Sequence, residues 1–78
     1  MQTVNKSVPE LKQGDIVHMH GGTFEVQENA HAAGENHPVE GVYIASSICK
    51  SGKVAGYFHE GSAWVFQGNQ HAIFCVEV

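Results

Sequence analysis

His18-Met19-His20 places two imidazoles at positions i and i+2. Alternate side chains of a strand share a face, so the two rings stand about 6–7 Å apart at their bases and can converge on one metal ion. Glu25, across the Gly21-Gly22 pair, joins that polar face if Phe24 and Val26 point inward. His71 reaches the same place if the sheet closes. Three imidazoles and a carboxylate form a donor set suited to Zn, Ni or Fe. The plainer reading is two exposed histidines on the outer face of an amphipathic strand, with no cofactor, and that reading is preferred.

Other reactive side chains are scattered. His31, Glu35 and His37 lie in the stretch 29–41 (NAHAAGENHPVEG), which holds Gly, Pro and Asn but no hydrophobic period. A loop this long in a small domain is functional or mobile as a rule. His59 ends a run of apolar residues. Ser46, Ser47, Ser51 and Ser62 have no surrounding motif that pairs a hydroxyl with a base. Phosphate loops, paired catalytic carboxylates and dinucleotide fingerprints are absent from the sequence. Enzyme activity is not expected.

The elements that must position these residues are strands. Ile16 to His20 alternates, the Gly21-Gly22 pair signals a hairpin, and Thr23 to Glu28 returns with Phe24 and Val26 on one face. Val42–Cys49, Lys53–His59, Ala63–Gln67 and His71–Val78 follow, separated by Gly-containing turns. The last strand ends the chain, so it is expected to expose an edge on which a homodimer can pair. Residues 1–8 carry no period and are expected to form a flexible tail. A short helical turn fits Val8–Lys12 or Ala30–Ala33. The expectation is one all-β domain over residues 9–78, a single small barrel or compact antiparallel sandwich of five to six short strands.

Trp64 and Phe66 are assigned to the core. Tyr43 and Tyr57 fall on the opposite parity from Val42/Ile44 and Val54/Phe58, so they are expected to be exposed, as tyrosines on binding surfaces are. The expected partner-binding set is Tyr57, Tyr43, His31, Glu35, His37 and His59.

Charge limits the choice of partner. Eight acidic residues face four lysines, there is no arginine, and the net charge is -4. Such a chain repels nucleic acid and anionic membranes, and it lacks the side chain best suited to bidentate phosphate contacts. Direct nucleic-acid or membrane binding is not expected. With no secretory pattern visible, Cys49 and Cys75 read as reduced thiols in a cytoplasmic protein.

Leu11-Lys12-Gln13-Gly14-Asp15-Ile16-Val17, followed by Gly21-Gly22 and Phe24-Glu25-Val26, resembles the opening of SH3-like small barrels of the KOW and YodC-like type. The segments His20–Val26 and Gly61–Asn69 are similar to those of short proteins carried by phages and prophages. These resemblances imply an SH3-like barrel and an accessory protein of a mobile element, one that masks a host or phage protein, for example as an inhibitor of a defence system. The set His18, His20, Glu25 and His71 also resembles the cupin metal site, which implies a metal-binding protein as the alternative. A structural homo-oligomeric β module is the third reading.

Overall fold

A computed structural model of the chain describes residues 2–19, 21–34, 41–51 and 60–78. In them the alternating Val17, Phe24, Val26 and Val76 become the inner face of one antiparallel sheet, with each of these four side chains fully buried. The strands are β1 (Thr3–Ser7), β2 (Ile16–Met19), β3 (Gly22–Val26), β4 (His31–Ala32), β5 (Tyr43–Ser51), β6 (Ala63–Gly68) and β7 (Ile73–Glu77). A 3-10 turn, Val8–Glu10, follows β1, and the described residues contain no α-helix. The expected all-β class is what is observed.

The sheet runs β1-β7-β2-β3-β5, with β6 on one edge of β5. β6 pairs with residues 43–48 of β5, so β4 and β3 share the opposite edge, β4 at Tyr43–Ile44 and β3 at Ser47–Ser51. The sheet curls into a half-barrel. Val8 and Leu11, around the 3-10 turn, are buried with Val17, Phe24, Val26, Ala45, Cys49, Phe66 and Val76.

The β2–β3 hairpin places Met19 opposite Gly22, and Gly21 takes φ +84°, a value that side-chain-bearing residues rarely adopt. Gly22 itself is a buried strand residue. One glycine therefore makes the turn and the other begins β3.

On the inner face, large side chains meet small ones across strand pairs. Phe66 lies opposite Ala45, and Phe24 opposite Cys49. Phe66 stacks edge-on with Phe24 at 5.9 Å and with Phe74 at 5.0 Å. Burying each such ring is worth about 1.5–3 kcal/mol. The part-exposed Lys6–Asp15 pair, at 3.1 Å, belongs to a class worth roughly 0–1 kcal/mol. Apolar packing decides the fold.

Four expectations need correction. Within the expected tail 1–8, Thr3–Ser7 is a strand that pairs with β7 through five register positions, Thr3↔Glu77 to Ser7↔Ile73. An edge strand held by backbone bonds needs no alternating apolar face, and β1 buries only Ser7. Ile73–Val78 is consequently not an open edge, because β7 sits between β1 and β2. Tyr43 shares the inner parity of Ala45, Ser47 and Cys49 and packs against the core. Trp64 is 37% exposed, and only Phe66 of that pair enters the core. The expected strand Lys53–His59 lies outside the described residues, as do His20, Glu35, His37, Tyr57 and His59.

Candidate functional site

At one end of the half-barrel an open cleft of about 480 Å³ is lined by Pro9, Gly41, Tyr43, Asn69, Gln70 and His71. Three separate elements build it. Tyr43 opens β5 and is gripped from both sides, opposite Gly68 of β6 and Ala32 of β4. Pro9 comes from the 3-10 turn, whose fixed φ suits a proline at this place.

The third element is the β6–β7 connection. The Asn69 side-chain oxygen accepts from the His71 N–H at 2.8 Å, and the Asn69 carbonyl accepts from the Ala72 N–H at 3.1 Å. Asparagine favours such turns because its side chain mimics a backbone acceptor. The Val8 N–H donates to the Ala72 carbonyl at 3.2 Å, pinning the connection to the 3-10 turn. Gln70 and His71 remain exposed at its tip. The cleft thus combines two flat apolar surfaces, Tyr43 and Pro9, with amide and imidazole groups at its rim.

Sequence reasoning singled out Tyr43 and His71 for different purposes, and the structure brings them to one cleft. It separates the rest. His31 is exposed opposite Ile44, on the outer face of β5 rather than beside Tyr43. Its Nε2 lies 3.2 Å from Glu28 Oε1, which also accepts from Ser46 Oγ at 2.9 Å and more weakly from the Ser46 N–H at 3.4 Å. The Ser46 hydroxyl holds the Glu28 carboxyl below its usual value, loss of hydration opposes this, and His31 adds to the lowering. Glu28 therefore ties the start of the 29–41 stretch to the outside of β5.

The imidazole–carboxylate set also divides. Phe24 and Val26 do point inward, and Glu25 shares the outer face with His18, opposite Ile16 rather than opposite His18. His18 pairs with Thr23 and with Cys75. His71 precedes Cys75 by four residues, about 13 Å along a strand, so it faces the cleft and does not join His18. Among the described residues the carboxylate beside His18 is that of Glu77, with Nε2 and Oε2 at 3.6 Å, too long for a hydrogen bond. That Nε2 is buried and has no hydrogen-bond partner among the described residues. Among the described residues no group of three His, Cys, Asp or Glu side chains is placed to hold a metal ion.

Pro9, Gly41, Asn69 and Gln70 were not anticipated. The signal was present in Gly68-Asn69-Gln70-His71, read only as a turn, while Gly41 (φ +77°) stands two residues before Tyr43. No helix among the described residues is long and apolar enough to cross a membrane. No protein-family model matches the chain, and no curated protein or solved structure matches it either.

Proposed function

We propose that the chain is a non-enzymatic protein-binding module that receives a segment of its partner in the cleft of Tyr43 and His71. The convergence of these two side chains on one open, loop-built cleft carries the proposal. An aromatic anchor with a polar rim is the usual make-up of a protein-recognition surface. The described lining residues carry no carboxylate or lysine, so selectivity at this place rests on shape and on neutral hydrogen bonds. Following the resemblance to phage-borne proteins, the partner is a host or phage protein that the module masks, in the cytoplasm.

The test is capture of partners from host lysate by the tagged chain, with mass spectrometry, beside a Gln70→Ala/His71→Ala variant. Both residues are exposed, so the variant keeps the fold. A protein captured by the native chain and lost by the variant supports the reading. Equal capture by both refutes the assignment of the cleft.

The His18 Nε2, buried without a hydrogen-bond partner among the described residues, favours a second reading, in which the outer face holds Zn, Ni or Fe with Glu77 near His18. Metal analysis of protein purified without a histidine tag tests it. About one bound ion per chain, lost on His18→Ala, supports this reading, and metal-free protein rejects it.

A further inference from the structure

The edge of β1 has a pattern of unpaired backbone groups that fits a second copy of itself. The Val78 N–H donates to the Gln2 carbonyl at 3.1 Å, and the Val8 N–H to the Ala72 carbonyl at 3.2 Å. Both pairs continue the β1–β7 register. Directly opposite residues of an antiparallel ladder exchange hydrogen bonds at every second position. Gln2, Val4, Lys6 and Val8 therefore bond to the β7 side, while Thr3, Asn5 and Ser7 turn their N–H and C=O groups to the open edge.

Among the described residues the edge is capped at one end only. The Ser7 N–H donates to Glu10 Oε1 at 3.0 Å, and the Ser7 hydroxyl donates to the same oxygen at 2.7 Å. The outward backbone groups of Thr3 and Asn5 meet no partner among the described residues. Within its own sequence and register β1 also lacks the usual protections of an edge. It has no proline and no bulge, and its one lysine is turned away to Asp15.

We infer that two copies of the chain associate through antiparallel pairing of β1 with β1 about a two-fold axis at Val4. In that register Thr3 lies opposite the partner's Asn5, and Asn5 opposite the partner's Thr3. The N–H and carbonyl groups of Thr3 and Asn5 on the two edges then meet as two exchanged pairs. Val4, 43% exposed in the single chain, meets the partner's Val4 at the close, non-hydrogen-bonded position. Lys6 faces the partner's Gln2, so no like charges oppose each other. The contact is isologous and self-closing, and it yields a dimer rather than a fibre.

Pairing over so few residues falls short of the ~1,200 Å² of a standard stable interface. Association is therefore read by sedimentation equilibrium of the full chain at about 10 µM to about 1 mM, the range of weak complexes. Asn5→Pro removes one outward N–H and leaves the β7 ladder intact, since an edge strand accepts proline where its N–H faces solvent. Val4→Lys sets two ammonium groups against each other at the axis and keeps the fold even where the proline does not.

The expected result is a monomer–dimer equilibrium in the native chain that both variants shift at least tenfold toward monomer, with unchanged circular dichroism. A Val4→Cys variant in a Cys75→Ser background crosslinks to itself on mild oxidation, because facing Cα atoms about 4.5 Å apart lie within disulfide range. A native chain that stays monomeric throughout the range overturns the inference. So does a dimer that tolerates Val4→Lys but dissociates on Val65→Lys in β6.

Discussion

Gly68 and Ala72 bracket the cleft connection so closely that a Cβ built on Gly68 lies 2.6 Å from the Ala72 Cβ. The Val8 Cγ2 atom stands 3.4 Å from the same point. The Ala72 methyl is fixed to the backbone and cannot swing aside, so any side chain at 68 must move the turn that carries Gln70 and His71.

Gly68→Ala is therefore expected to destabilise the protein by about 1–3 kcal/mol, the range of overpacked sites. Denaturant unfolding measures this. Adding Ala72→Gly removes the opposing methyl and restores part of the loss, a coupling that a double-mutant cycle isolates. Additive effects would mean that the two positions do not meet.

Phe66 carries the core stack with Phe24 and Phe74, so Phe66→Ala should cost about 3–5 kcal/mol. Domains of this size hold only a few kcal/mol in reserve, so that variant populates the unfolded state at room temperature. Phe66→Leu keeps most of the volume and should remain folded with a lowered midpoint. A small loss on Phe66→Ala would place the core elsewhere.

Glu28 supplies a pH dependence. Its carboxyl sits below the usual value, first through the Ser46 hydroxyl and further through His31. Such a group stabilises the fold above its unfolded pKa and loses that contribution as the pH falls through the lower, folded pKa. The stability gap between native protein and Glu28→Gln should stay level near neutrality and shrink on acidification to about pH 3. Urea midpoints along the pH series give the gap. A gap that widens toward acid contradicts the assignment.

The centre of the sheet was legible because Phe24 and Val26 alternate with Thr23, Glu25 and Gln27 across the hairpin from Val17, and all three apolar residues are buried. β5 misled because its larger aliphatics, Ile44 and Ile48, lie on the outer, half-buried face. Its inner residues Ala45 and Cys49 are small because Phe66 and Phe24 fill the space opposite. A hydrophobicity pattern cannot reveal that exchange of volume, and the parity of Tyr43 was reversed with it. β1 was invisible for a different reason: backbone bonds to β7, not burial, hold Thr3–Ser7 in place. In the candidate site Tyr43 and His71 were each visible as residues. Their meeting depends on a register that joins positions far apart in the chain.

Calorimetric titration of the captured partner, once purified, tests the cleft most directly. The account predicts at least tenfold weaker binding for Gln70→Ala/His71→Ala and native affinity for His18→Ala on the outer face, with both variants folded. Native affinity in the cleft variant, together with a loss on His18→Ala, would contradict it and move the recognition surface to the opposite side of the sheet.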